Sequence, residues 1–180
     1  MKLIAFVIIA LSVFMFSCSA DKKAELTEKI DFFETQIKSD TSFVLDIHLA
    51  KDAVSAYLEY AKLYPEDQRS ADCYYRAGEI AMNMNWGAKA IDYFTKVENK
   101  FPDYDKLPYC IFMKAFVYET QLGNVEKAEE YYNKYIEDYP DHEFVKDAKI
   151  SVQNLGIPLE ELIRQFEENQ NDSLVSDTAS

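Results

Sequence analysis

Residues 71–102 read ADCYYRAGEIAMNMNWGAKAIDYFTKVENKFP, which is the pattern of two amphipathic helices joined by a turn. The inner face of the first helix follows helical spacing and comprises Tyr74, Ala77, Gly78 and Ala81. Asn85-Trp86-Gly87 interrupts this spacing and predicts the turn. The inner face of the second helix comprises Ala90, Phe94 and Val97. Phe101-Pro102 ends that helix, because proline cannot continue the helical hydrogen-bond ladder.

The same plan recurs along the chain at intervals of 37 and then 38 residues. Three aromatic–proline pairs mark these intervals, namely Tyr64-Pro65, Phe101-Pro102 and Tyr139-Pro140. In the unit after residue 102, the inner faces comprise Ile111, Ala115, Tyr118, Ala128, Tyr132 and Tyr135, with a turn at Gly123-Asn124. A fixed period of this size indicates a helical repeat array.

These units resemble the tetratricopeptide repeat, a helical hairpin with small residues where its two helices approach each other. The matching structural positions are Gly78, Ala90, Phe94 and Pro102 in one unit, and Ala115, Ala128, Tyr132 and Pro140 in the next. The second unit has one extra residue between its two small positions. The resemblance implies an all-α fold, a right-handed solenoid of about three helical hairpins with a C-terminal capping helix pair.

The flanking segments fit this plan less regularly. A divergent first hairpin is predicted from Glu25 to Lys38, with inner residues Leu26, Ile30, Phe33 and Ile37, followed by a helix containing Ala53, Tyr57 and Tyr60. A helix from about His142 to Asn154 follows the last repeat. A final helix is predicted from Leu159 to Glu168, with Leu159, Leu162, Ile163 and Phe166 facing inward. The helical domain would then cover residues 24–168, and the polar residues 169–180 are predicted to be a disordered tail.

The N-terminus has the features of an export signal. Met1-Lys2 is positively charged, and the segment from Leu3 to Phe16 is apolar apart from one serine, which is too short to span a bilayer comfortably. Residues 1–17 resemble a bacterial lipoprotein signal, although Met15 and Phe16 stand where that family prefers Leu and a small residue. The resemblance implies lipidation at Cys18, a tether over residues 18–23 and an anchor in the outer membrane, facing the periplasm. The alternative is a plain secretory signal with an incidental cysteine.

The composition argues against several classes of function. The net charge is -13, and no basic patch interleaves with the aromatic residues, so nucleic acid is not an expected partner. His48 and His142 lie in different repeats outside any metal-ligand motif, so no metal or cofactor is expected. Cys73 and Cys110 occupy equivalent positions in neighbouring repeats, which favours two free buried thiols over a disulfide. With no phosphate loop or nucleophile motif either, the sequence predicts a protein that is not an enzyme.

The resemblance also implies a binding groove lined by the first helix of each repeat. The groove residues would be Tyr75, Glu79, Met82, Asn83, Phe112, Phe116, Glu119 and Thr120. The alternative for Phe112 and Phe116 is packing against a neighbouring repeat. The carboxylate-binding version of this groove has Lys and Asn where Tyr75 and Glu79 stand here, so an acidic C-terminal peptide is a disfavoured ligand.

More narrowly, the chain resembles two groups of bacterial envelope proteins. One is the repeat lipoprotein of the outer-membrane β-barrel assembly machine, and the other is the Tol-Pal-associated periplasmic repeat protein. The resemblance implies a non-catalytic, lipid-anchored scaffold that binds a protein or peptide partner in outer-membrane assembly or envelope coordination. The alternatives are a self-oligomerising structural module of the periplasm and, third, an envelope hydrolase. The sequence leaves the partner and the oligomeric state open.

Overall fold

The computed structural model describes residues 2–39, 46–158, 160–165 and 167, with side chains from Asp21 onward. Within these ranges the regular structure is helical and contains no strand. The helices are α1 (Lys2–Ser39), α2 (Ile47–Leu63), α3 (Gln68–Asn83), α4 (Gly87–Lys100), α5 (Leu107–Thr120), α6 (Val125–Asp138) and α7 (Val145–Asn154). The prediction of an all-α fold of successive helical hairpins is confirmed.

The chain divides into two compact units, Met1–Cys110 and Ile111–Ser180. In the first unit α1 packs on α2, α2 on α3, and α3 on α4. Aspartates begin two of these helices, since the Asp46 carboxylate accepts backbone N–H groups of α2 and the Asp67 carboxylate accepts one of α3. Such caps satisfy amide donors that the first turn of a helix leaves unpaired. Each aromatic–proline pair of this unit follows directly after a helix, as the sequence predicts.

Small and aromatic residues fill the core of the first unit. The predicted repeat positions Gly78, Ala90 and Phe94 are all buried, and so are Leu26 and Ile30 of α1. The other two predicted inner residues of α1, Phe33 and Ile37, are only half-buried. Burial of these faces supplies the main driving force for pairing the helices.

The N-terminal helix continues further towards the chain start than the sequence indicates. Lys22 and Lys23, assigned above to a tether, lie in α1. They form ion pairs with Glu59 of α2 and with Asp67, the residue that caps α3. The Lys23 ammonium lies 2.5 Å from the Asp67 carboxylate, and the Lys22 ammonium lies 3.3 Å from the carboxylate of Glu59. The Cys18 side chain lies outside the described residues.

The cysteines of the first unit are as predicted. Cys73 and Cys110 are both buried, and neither forms a disulfide with another described residue. Burial raises the pKa of the Cys73 thiol to about 12, because the thiolate would lose its hydration. Both side chains therefore act as small apolar residues of the core.

The second unit is a hairpin followed by α7 and by further helical residues at 160–165 and 167, within the predicted final helix. Ala128, Tyr132 and Tyr135 of α6 are buried as predicted, and the Tyr118 and Tyr131 rings stack across α5 and α6 with centroids 5.6 Å apart. At the turn, Gly123 adopts a φ of 61°, a left-handed conformation that glycine adopts without steric cost.

The end of the second unit departs from prediction in two places. Helix α7 packs on α6 but begins at Val145, three residues after the predicted start at His142. Ile163 is 50% exposed, so the prediction that it faces inward is wrong. Helical spacing groups apolar residues on one face, but burial also needs an opposing element. Leu159, Phe166 and the predicted tail at 169–180 lie outside the described residues.

Candidate binding groove

A groove opens in the first unit between α1 and α3, with α2 beneath it. One cavity of about 230 Å³ lies towards the C-terminal ends of α1 and α3, lined by Glu34, Ile37, Lys38, Tyr57, Arg76, Glu79, Ile80 and Asn83. A second, of about 280 Å³, is lined by Ile30, Asp31, Glu34, Tyr57, Arg69, Asp72, Cys73 and Arg76. We call the two cavities together the α1–α3 groove. Its centre is formed by the three residues that line both cavities, Glu34, Tyr57 and Arg76.

Tyr57 reaches this position through the repeat register. It stands 37 residues before Phe94 and 75 before Tyr132, at the aromatic position of each second helix. Phe94 and Tyr132 are buried, and Tyr57 is only 2% exposed, yet it lines both cavities. Burial, with a smaller contribution from the negative charge of Glu34, raises the pKa of the Tyr57 phenol well above its usual value. The hydroxyl is therefore neutral at physiological pH.

Ion pairs line the two walls of the groove. Arg69 on α3 donates to the Asp31 carboxylate on α1 at 2.5 Å, which joins the two walls at one end. Arg76 donates to the Glu79 carboxylate on its own helix at 2.9 Å. Both pairs are partly exposed to solvent, so each contributes little to stability. They do fix the positions of the two guanidinium groups.

The predicted groove residues of α3 are divided between core and surface. Tyr75 is only 8% exposed, with its ring packed against Phe94 and Tyr104 at centroid distances of 6.3 and 6.2 Å. Glu79 and Asn83 do line the first cavity, whereas Met82 is half-buried and lines neither. The structure thus brings two of these four residues to the α1–α3 groove.

The predicted groove residues of α5 are also divided. The Phe112 ring packs within the second unit against Tyr132, Tyr135 and Phe144, with centroids 5.0–5.7 Å apart. For Phe112, these ring contacts favour the packing alternative over a role in the groove. Phe116 is 39% exposed and remains available for contact. Glu119 accepts a hydrogen bond of 2.6 Å from the Tyr132 hydroxyl, and the Thr120 hydroxyl donates to the Phe116 carbonyl at 2.7 Å.

Sequence reasoning did not identify Glu34 or Arg76 as groove residues, and it assigned Tyr57 only to the second helix of the first hairpin. The three residues lie on three helices, and nothing in their spacing shows that they converge. One weak signal was present: Arg76 directly precedes the inner-face residues Ala77 and Gly78, so it had to lie beside that buried face.

The described residues contain no group of three or more His, Cys, Asp or Glu side chains that could hold a metal ion. The two histidines are far apart in sequence and engaged locally. His48 is exposed in the first turn of α2, and the His142 Nδ1 hydrogen-bonds with the Tyr135 hydroxyl at 2.5 Å. Among the described residues, no helix combines the length and apolar character needed to cross a membrane.

Comparison with protein families supports the fold. The family model of the tetratricopeptide repeat matches residues 109–142, which cover most of α5 and all of α6. The matched stretch contains four of the predicted repeat positions, Ala115, Ala128, Tyr132 and Pro140. No curated protein matches the chain. The chain therefore carries a tetratricopeptide repeat, a module that generally mediates protein–protein interactions.

Proposed function

We propose that this protein is a non-catalytic scaffold, anchored by a lipid at Cys18, that binds a protein partner in the bacterial envelope. The observation that carries the proposal is the α1–α3 groove, in a chain whose matched repeat is typical of protein-binding modules. Repeat modules of this kind present extended surfaces to partners. Outer-membrane protein assembly and envelope coordination are the processes that the sequence resemblance favours.

The lipid anchor rests on the N-terminal sequence. A positive start, an apolar stretch and Ser17-Cys18 fit a lipoprotein signal, and acyl chains on Cys18 would hold the protein to a leaflet. Each buried methylene contributes about 0.8 kcal/mol to such anchoring. Ser19 follows the cysteine where an inner-membrane retention signal has Asp, which favours the outer membrane, with the helical domain in the periplasm.

Site-specific crosslinking tests the scaffold. A photoreactive amino acid in place of Asn83, an exposed residue that lines the first cavity, should crosslink to an envelope protein in intact cells. The same substitution at Ala88, exposed on α4 and outside both cavities, is the matched control. Mass spectrometry identifies the adduct. An adduct only with a second copy of this chain would favour the self-oligomerising alternative, and no adduct at position 83 would contradict both.

Membrane fractionation tests the anchor. The Cys18→Ser variant should move from the outer-membrane pellet to the soluble periplasmic fraction, because serine cannot take the thioether-linked lipid. Cys73→Ala removes a thiol elsewhere and should leave the protein in the pellet. If Cys18→Ser remains in the outer membrane, the anchor is not at Cys18.

A further inference from the structure

The Tyr57 side chain is only 2% exposed, and its hydroxyl, which faces the cavities, has no hydrogen-bond partner among the described residues. Its raised pKa arises from burial and from nearby charges, without any hydrogen bond to the phenol. The equivalent Tyr132 hydroxyl, by contrast, donates to the Glu119 carboxylate. Buried polar groups are nearly always paired. Because Tyr57 lines both cavities of the α1–α3 groove, a ligand in the groove could supply the missing partner.

The charges around this hydroxyl favour a cation. Four carboxylates line the two cavities, Asp31, Glu34, Asp72 and Glu79, against the three cations Lys38, Arg69 and Arg76. Both arginines are already held, one by Asp31 and the other by Glu79.

The two remaining carboxylates differ in how they are engaged. Asp72 accepts a hydrogen bond of 2.6 Å from Tyr104 and lies 3.7 Å from the Lys106 ammonium. Among the described residues, the ion pair of Glu34 is with Lys38, at 3.8 Å, and 72% of the Lys38 side chain is exposed, while the positive charge of Arg76 acts on Glu34 from α3. Glu34 therefore lacks the close hydrogen-bond partner that each of the other three carboxylates has.

The shape of the first cavity suits one long side chain with an apolar stem. Ile37 on α1 and Ile80 on α3 line it, together with Glu34 and Tyr57. Its volume of about 230 Å³ is below the roughly 300–1,000 Å³ of typical small-molecule pockets. Lysine combines an aliphatic stem of four carbons with a terminal ammonium that has three donors and no acceptor.

We infer that the α1–α3 groove binds a lysine side chain of its partner protein, with the ammonium between the Glu34 carboxylate and the Tyr57 hydroxyl. The inference rests on the proposed function and specifies the chemistry of the partner. The ammonium donates to the carboxylate and to the phenol oxygen, while the stem packs between Ile37 and Ile80. An acidic side chain would be repelled by Glu34, and the three cations of the groove are already paired, the two arginines with Asp31 and Glu79 and Lys38 with Glu34.

A peptide titration tests this assignment on the full-length protein in non-ionic detergent micelles. The probe is the peptide acetyl-Ala-Ser-Lys-Ser-Ala-amide, with versions that carry Gln or Glu in place of Lys. Isoleucine δ1-methyl NMR signals report binding, since Ile37 and Ile80 line the cavity and Ile150, in the second unit, serves as the remote reference. The lysine peptide should shift the Ile37 and Ile80 signals alone and bind at least about tenfold more tightly than the glutamine peptide.

Three variants identify the residues responsible. Glu34→Gln should weaken lysine-peptide binding about tenfold, and Tyr57→Phe, which keeps the buried ring, should weaken it roughly fivefold. Glu28→Gln changes an exposed carboxylate of α1 outside both cavities and should leave binding unchanged. Should Glu34→Gln fail to fold, Tyr57→Phe decides the question, because it removes only the unpaired hydroxyl.

The assignment is overturned if the glutamate peptide binds as well as the lysine peptide, or if Tyr57→Phe binds the lysine peptide as tightly as the original chain. The crosslinking experiment separates this failure from failure of the proposed function. A partner captured at position 83 without lysine preference removes only the lysine assignment. Lysine binding without any captured partner leaves the pocket in place but contradicts the scaffold.

Discussion

The Phe94 ring of α4 lies directly against the backbone of α3 at Gly78. A Cβ atom added at Gly78 would come within 2.8 Å of Phe94 Cδ1, closer than real Cβ contacts in proteins. The ring thus occupies the space that any other side chain at position 78 would need. This contact sets how closely the two helices of the hairpin approach each other.

Replacing Gly78 with alanine should therefore destabilise the protein. Alanine favours a helix over glycine by about 1 kcal/mol, but overpacking a close contact costs about 1–3 kcal/mol. We expect a net loss of up to about 2 kcal/mol in the free energy of unfolding, measured by urea denaturation followed by circular dichroism. An increase in stability would mean that the Phe94 ring moves aside freely.

A second substitution shows whether the loss arises from this contact. Phe94→Leu removes the ring, so Gly78→Ala should cost less in that background than in the original chain. A double-mutant cycle should give a coupling free energy of about 0.5–3 kcal/mol between the two positions. Additive effects would mean that the alanine clashes with something else.

Ala90 is the other small position of this hairpin, and it is completely buried. Ala90→Leu should lower the free energy of unfolding by about 1–3 kcal/mol, because the core has no room for three more carbon atoms. Ala88→Leu makes the same change on the exposed face of α4, and its effect should stay within about 0.5 kcal/mol. Equal effects at the two sites would show that the helix faces are assigned wrongly.

The sequence predicts the hairpins well because their signals are local. Each inner face follows helical spacing, and each turn or proline lies next to the helix that it ends. The positions Gly78, Ala90 and Phe94, predicted from one unit alone, are buried, and the Phe94 ring packs on Gly78. The predicted start of α7 was three residues too early. His142 instead belongs to a turn, in which its N–H donates to the Tyr139 carbonyl.

The α1–α3 groove could not be predicted in the same way. Glu34 and Arg76 are 42 residues apart, and their meeting depends on how each helix is rotated about its axis. Analogy with the repeat family put Tyr75 in the groove, but its ring packs against Phe94 and Tyr104 instead. Periodicity shows which residues share a helix face, whereas the partners of that face depend on tertiary packing.

Alkaline pH should destabilise the protein through its buried tyrosines. Burial raises the pKa of the phenols of Tyr57, Tyr75, Tyr104 and Tyr132 above the usual value, and a hydrogen bond to Asp72 raises that of Tyr104 further. The unfolded chain loses these protons near pH 10, while the native state keeps them. Since the native state then binds more protons, the free energy of unfolding is unaffected below pH 10 and falls as the pH rises above it.

Ultraviolet absorbance of the phenolate measures this effect. In the native protein, part of the tyrosine absorbance should change only at the pH where circular dichroism reports unfolding. In concentrated urea, all tyrosines should titrate together near pH 10. If every tyrosine of the native protein titrates near pH 10 without loss of helix, the four rings are not buried in solution.

The reaction rate of the buried thiols gives an independent measure of how readily the first unit opens to solvent. In a Cys18→Ser variant, Cys73 and Cys110 are the remaining cysteines, and both are buried and outside any disulfide of the described residues. Because the thiolate is the reactive form, a pKa of about 12 at Cys73 and the lack of access should both slow attack on an aromatic disulfide reagent. We expect slow reaction in buffer and rapid release of two equivalents of chromophore in urea without reductant. Reaction in buffer at the rate of free cysteine would show that α3 opens readily, whereas no reaction in urea would reveal a disulfide.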